Sequence, residues 1–206
     1  MPTILTATPP AALPIEPLRK LWTRDQCEQL ERAGLLDQQR LELVDGELIN
    51  KMGKNRPHVI TLVWMMKWLN QVFGADFVNP ECSIDVAPED NPTNEPQPDL
   101  VVFKQPSNLV ASRNPRPDEL HLIIEISDTS LYFDLTKKAA LYARAGILEY
   151  WVLDVTAHKL FVHREPQAGK YQSITEYAEQ ESAAPLAAPD AQFRSEEHTS
   201  ELQSPC

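Results

Sequence analysis

The stretch Leu120-His-Leu-Ile-Ile-Glu-Ile126, followed by Asp134-Leu-Thr-Lys-Lys138 and then by the run Ile147 to Asp154, decides the fold. The first segment is apolar at both alternating sets of positions except for His121 and Glu125, the pattern of a strand covered on two faces. Residues 135–145 read as a helix, and Gly146 is placed to end it at C′. Ile147 to Asp154 reads as the next strand, paired with Lys159 to His163 through the short connection Val155-Thr-Ala-His158. Strands and helices alternate, which places the chain in the α/β (α+β) class.

Working towards the N-terminus, Asp99-Leu-Val-Val-Phe103 is a further strand, entered from a polar, Pro-rich loop spanning Pro88 to Pro98. Short strands are expected around 76–79 and 82–87. Pro57 suits a first helical position, and the apolar positions from Val59 to Phe73 suggest a buried helix, with Trp64 and Trp68 on its packed face. Leu41-Glu-Leu-Val-Asp-Gly-Glu-Leu-Ile49 reads as a hairpin turning on Asp45-Gly46. Thr23 and Gln26 have capping-box spacing for a helix ending near Gly34.

The ends differ in composition. Residues 1–19 are rich in Pro and Ala and are expected to be poorly ordered, 20–175 form the folded domain, and 176–193 read as a flexible tail. The segment 194–206 resembles the in-frame translation of a sequencing adaptor and is left out of the fold reading.

A length of 206 residues, 42% of them hydrophobic and 24% charged, fits an ordinary soluble domain with a substantial core. The apolar runs fall well short of the roughly 20 residues that span a bilayer, so no membrane partner is expected. The N-terminus lacks a basic stretch and carries prolines, against a secretory signal. Cys27, Cys82 and Cys206 show no ligand spacing, which points to a reducing, cytoplasmic setting. A net charge of −11 argues against a nonspecific coat on nucleic acid, but not against a site in which a metal and a local basic patch supply the positive field. One patch is Lys51, Lys54 and Arg56, followed by His58; it reads equally as DNA contacts or as a solvated loop. Arg113 and Arg116 form a weaker second one.

Three residues carry the chemistry. Glu125 is an ionisable group in an apolar strand, costly unless paired or metal-bound. On strand alternation it shares a face with His121 and Ile123. Asp99 opens the strand after Pro98. Asp134 reads as an N-cap, which puts Lys137 and Lys138 in the first helical turn, where each cation opposes the macrodipole by about 0.3–1 kcal/mol unless an anion lies nearby. Two carboxylates and an amine together could hold a divalent metal against a phosphodiester; taken singly, each has a structural explanation.

Together they resemble the PD-(D/E)XK nuclease superfamily, and more closely its Uma family of restriction-endonuclease-like proteins. The similar stretches are Glu42-Leu-Val-Asp-Gly46, Pro98-Asp99-Leu-Val-Val, Ile124-Glu125-Ile-Ser127, Asp134-Leu-Thr-Lys-Lys138, and Tyr142-Ala-Arg-Ala-Gly146 with Glu149-Tyr-Trp151, across roughly residues 20–165. The resemblance implies a restriction endonuclease-like core, a mixed central β-sheet flanked by helices, and Mg²⁺-dependent hydrolysis of DNA, with Mn²⁺ as a substitute. It implies Asp99, Glu125 and the carbonyl of Ile126 as metal ligands, and Lys138 as the catalytic lysine. The superfamily lysine two residues after the acid is Ser127 here; the family similarity moves it to the following helix, where Lys138 fits the spacing to Tyr142 and Lys137 is the rival.

Glu42 is a candidate auxiliary acid, with a structural role in the hairpin equally open. His121 and Tyr142 read as packing residues, and Ser127 as a packing or hydrogen-bonding one. The alternative to an active endonuclease is a catalytically weak nuclease-fold module for DNA binding or regulation, favoured by the acidic charge and the displaced lysine. A homodimer would let two sites cut two strands, and no sequence feature decides it.

Overall fold

The computed structural model describes residues 18–36, 39–51 and 55–194. The expected disorder of residues 1–17, the character of 195–206, and Lys54 therefore lie outside the described residues.

The chain begins with α1 (Arg24–Arg32), opened by Thr23, whose side chain accepts from the Gln26 amide while Gln26 reaches back to the Thr23 amide. A hairpin follows, β1 (Leu41–Val44) and β2 (Glu47–Asn50), paired in the register Val44–Glu47. Its turn residues Asp45 and Gly46 have φ of 49° and 75°, the doubly left-handed turn of a tight hairpin. Gly46 is required for a second reason: a Cβ there would lie 2.8 Å from Leu21 Cβ. The Asp45 and Gly46 amides donate to Asn94 Oδ1 and the Thr93 carbonyl, which pins the hairpin to the loop ahead of Asp99.

Helix α2 (Arg56–Phe73) starts at the cap Asn55, whose side chain accepts from the His58 amide. It is less covered than its composition suggests, since only His58, Met65 and Leu69 are buried and Val59 and Val63 face solvent. β3 (Val78–Pro80), β4 (Leu100–Phe103), β5 (Leu120–Ser127), β6 (Glu149–Asp154), β7 (Lys159–Gln167) and β8 (Lys170–Tyr177) form one six-stranded sheet in that order. Every neighbouring pair is antiparallel except β5 and β6, so the sheet is mixed, as the resemblance implies. The β5–β6 crossover is helical: α3 (Leu131–Phe133), a π turn (Asp134–Lys138) and α4 (Ala139–Arg144) run on without a break. Gly146, at φ 74°, follows α4 as expected.

The two sheet faces bury separate cores. Leu100, Val102, Leu122, Ile124, Ile126 and Trp151 face α2. Val101, Ile123, Tyr150 and Val152 face α4 through Ala139, Tyr142 and Ala143. β5 is the covered central strand expected from its sequence.

Four expectations need correction. Residues 82–87 are not a strand, because Ile84 and Asp85 bond the carbonyls of Pro96 and Pro115 in loops rather than a ladder. The crossover helix begins at Leu131, not 135, so Asp134 is no N-cap and Lys137 and Lys138 are not in the first turn; the Asp134 amide already bonds the Ser130 carbonyl. The macrodipole argument for an anion beside Lys138 falls with that boundary. The hairpin after β6 continues to 167 and adds β8, a strand not anticipated, whose end at Glu176 and Tyr177 enters the segment read as a tail. The rest of that segment folds back: β9 (Ser182–Ala183) pairs with β10 (Phe193–Arg194), and Ala183 and Phe193 are buried in the core beside Trp68 and Trp151.

Candidate active site

Strand alternation and the β4–β5 register bring the two acids together. Leu100 pairs with Ile124, so Asp99 and Glu125 stand one residue beyond that pair on adjacent strands, on the face that carries Val101 and Ile123. Both are buried, at 3% exposure each. Asp99 Oδ2 accepts from the Ile126 amide at 2.9 Å, which fixes its carboxylate against β5. Its Oδ1 lies 3.5 Å from His58 Nε2 and 3.8 Å from Lys51 Nζ. Lys51 also donates to the Gln97 carbonyl.

Lys138 approaches from the π turn and is as deeply buried as the acids. Its Nζ lies 2.8 Å from Glu125 Oε1, 2.8 Å from Glu42 Oε1 and 3.9 Å from Asp134 Oδ1. Burial opposes its charge, but these three carboxylates outweigh that and hold its pKa above the usual lysine value. Glu42 brings the hairpin into the site: its Oε2 accepts from the Gln97 amide at 3.1 Å, two residues before Asp99. Asp134 Oδ2 accepts from both Ser127 and Ser130 hydroxyls at 2.6 Å, so Ser127 is a hydrogen-bonding residue, as its sequence position suggests.

The residues line a cleft of about 150 Å³ that also takes in Asn55, Asp128, Thr129 and Phe133. Its buried acids, Glu42, Asp99, Glu125 and Asp134, outnumber the two lysines that face them, Lys51 and Lys138, so the cleft carries a surplus of acids. A divalent cation carries the complementary charge, and oxygen donors suit a hard ion such as Mg²⁺. Among the described residues no three His, Cys, Asp or Glu side chains converge as a metal cage. An ion held here would rest on two carboxylates, a carbonyl and waters, a donor set that Mg²⁺ accepts because it retains several waters. On charge and donor chemistry the residues fit the ion.

That surplus charge has a measurable consequence. Burial, with the charges of Asp134 and Asp99 adding to it against Lys138, pushes the Glu125 carboxyl up to about 8 from a usual 4.5. The folded protein then holds a proton that the unfolded chain releases between those values, so its stability falls as pH rises through that window. The expected result is a metal-free melting temperature that declines from pH 5 to pH 8, and stabilisation by Mn²⁺ that grows over the same range. A calorimetric series with and without Mn²⁺ checks it; a metal effect that shrinks with pH would contradict the assignment.

The other sequence candidates separate clearly. Lys137 is exposed and pairs with Asp45 at 3.3 Å, away from the cleft, so it does not stand beside the acids. Arg56 is exposed on the first turn of α2, while His58 and Lys51 line the cleft. Arg113 and Arg116 are engaged by Glu119, which removes the second basic patch as a free surface. His121 stacks on Phe73 with ring centroids 6.3 Å apart, a packing role. Two site residues were missed: Asp134, read as a cap, and Tyr142, read as core, whose hydroxyl donates to Glu125 Oε1 at 3.1 Å. The spacing 134, 138, 142 places all three on one helical face and was the available signal.

A mixed sheet with paired acids at the strand ends and a lysine on the crossover helix defines a restriction-endonuclease-like protein. The Uma2 family, described as "Putative restriction endonuclease", matches residues 24–195, and the chain belongs to it. A crystal structure described as a "putative nuclease belonging to DUF820", from Anabaena variabilis ATCC 29413, superimposes with a TM-score of 0.65 at 19% identity, covering 87% of this chain and 98% of that one. At that identity the likeness is one of fold. A comparison with curated proteins gives no match. Among the described residues no helix is long and apolar enough to cross a membrane.

Proposed function

We propose that the chain is a divalent-metal-dependent DNA endonuclease that hydrolyses phosphodiester bonds at the cleft of Asp99, Glu125 and Lys138. The observation that carries this reading is the convergence on one buried cleft of two adjacent strand-end carboxylates and a lysine 2.8 Å from one of them. Asp99, Glu125 and the Ile126 carbonyl would hold Mg²⁺, with Mn²⁺ as substitute. The ion supplies charge neutralisation and Lewis acidity for phosphate-ester hydrolysis. Lys138 orients the attacking water or stabilises charge developing on the phosphate, from a position fixed by Glu42 and Asp134. Lys51 and His58 lie at the same cleft and suit contacts to the phosphate backbone, with Arg56 outside them.

One observation favours a second reading, a nuclease-fold module that binds DNA without cutting it: Lys138 is engaged by two carboxylates at 2.8 Å. The two readings part in a nicking assay on supercoiled plasmid with Mg²⁺ or Mn²⁺. The endonuclease reading expects cleavage by the wild type and a fall in Asp99→Ala larger than the roughly 10–100-fold that follows loss of even an outer-shell partner of a metal ligand. Cleavage undiminished in Asp99→Ala would remove the site assignment. Metal binding without cleavage by the wild type would select the second reading.

A further inference from the structure

Glu125 receives both its side-chain hydrogen bonds on one oxygen. Lys138 Nζ and Tyr142 OH reach Oε1 at 2.8 and 3.1 Å, from positions four residues apart on the crossover helix. Tyr142 is fully buried, its ring held edge-on against Tyr150 with centroids 4.9 Å apart. Its hydroxyl acts as the donor in the bond to Oε1. A neutral donor held this rigidly does more than satisfy a buried oxygen. Two donors converging on Oε1 restrict the rotation of the carboxylate plane, and hydrogen bonds to a ligating carboxylate tune how well it binds a metal.

We infer that Tyr142 is a positioning residue, which orients Glu125 for a divalent cation through the hydroxyl bond to Oε1. The inference rests on the metal-dependent reading proposed above. Lys138 carries the charge on that oxygen and Tyr142 carries the direction: the lysine stem bends freely, whereas the tyrosine ring is fixed by Tyr150 and has its hydroxyl in a single place.

Tyr142→Phe deletes only the hydroxyl and leaves the ring contact with Tyr150. Tyr171→Phe is the matched control, since Tyr171 is also buried and its hydroxyl donates to the Ile147 carbonyl at 2.9 Å in the same aromatic cluster, with no bond to Glu125. The measurement is direct Mn²⁺ binding by electron paramagnetic resonance on the full chain, with thermal melts of all three proteins in parallel. Tyr142→Phe is expected to bind Mn²⁺ about tenfold more weakly than wild type, while Tyr171→Phe binds as wild type does. Unchanged Mn²⁺ affinity in Tyr142→Phe overturns the inference, and so does an equal loss in both variants, which would mark a general effect of losing a buried hydroxyl. If the wild type itself binds no Mn²⁺, the metal-dependent reading fails and the inference falls with it; wild-type binding with normal affinity in Tyr142→Phe sinks the inference alone.

Discussion

Lys138→Met is expected to reduce plasmid nicking by roughly 10²–10³-fold, the range for removing one preorganised donor to developing charge. It is also expected to destabilise the metal-free protein at pH 8 by about 3–5 kcal/mol, because removing one partner of a buried ion pair leaves the other charge uncompensated. Here the cost falls on Glu42 and Glu125, both almost fully buried and both 2.8 Å from the lost ammonium. The sign of its pH dependence follows from Glu125. A carboxyl already pushed up to about 8 takes a proton more readily once the lysine is gone, so the penalty should be smaller at pH 6 than at pH 8. Urea titrations at the two pH values, run beside the nicking assay, check both halves. A variant that unfolds like the wild type and still nicks would show that the ammonium neither compensates the acids nor acts in the cleft.

Arg164→Ala is expected to cost about 3–5 kcal/mol of stability, again by stranding a buried carboxylate, but at a place remote from the cleft. Glu149 is 1% exposed, and Arg164 meets its Oε1 through Nε at 2.8 Å and Nη2 at 2.6 Å. The same acid accepts from Trp151 Nε1 at 3.0 Å and from the Leu186 amide at 2.7 Å, while Arg164 also donates to the Ala184 carbonyl at 2.5 Å. The pair therefore fastens residues 184–186 to β6 and β7, beside the β9–β10 contact that buries Phe193. For a chain of this size the loss corresponds to a fall in melting temperature of roughly 10 °C. Nicking per folded molecule should be unchanged, and Mn²⁺ affinity with it. The double change Glu149→Gln with Arg164→Met should recover part of the loss, since it removes the stranded charge. If Arg164→Ala melts with the wild type, the C-terminal segment is held by its apolar contacts alone.

The elements that were legible are those whose signal is local. The box Thr23–Gln26, the Asp45-Gly46 turn, Pro57 in the first turn of α2 and Gly146 each mark a boundary through backbone chemistry that a few residues specify. The misread boundary at Asp134 shows the limit of such signals. An aspartate before a helical run has the right chemistry for a cap, but Ser127 and Ser130 offered its carboxylate partners inside the fold, and the helix could start a turn earlier. Composition misled in the same way beyond residue 175. An Ala- and Pro-rich segment has little periodicity of its own, and tertiary partners such as the Glu149–Arg164 pair and the Trp68–Phe193 contact give it a place.

By itself the sequence determined the mixed class and the covered central strand at Leu120–Ser127, and it singled out Asp99, Glu125 and Lys138 as candidates, the lysine through the family resemblance. It could do so because an acid in an apolar strand and the Lys138–Tyr142 spacing survive as patterns along the chain. The tertiary structure alone decided how the two neighbouring lysines part. Lys137 and Lys138 are neighbours in sequence, yet helical geometry sends one to Asp45 at the surface and the other between Glu42 and Glu125. It also decided the charge balance of the cleft, because Glu42, Asp134 and Lys51 come from three separate segments whose side chains meet only when the hairpin, the crossover helix and the sheet pack together. Electrostatic energy depends on distance through space and on burial, and neither quantity is written in the order of the residues.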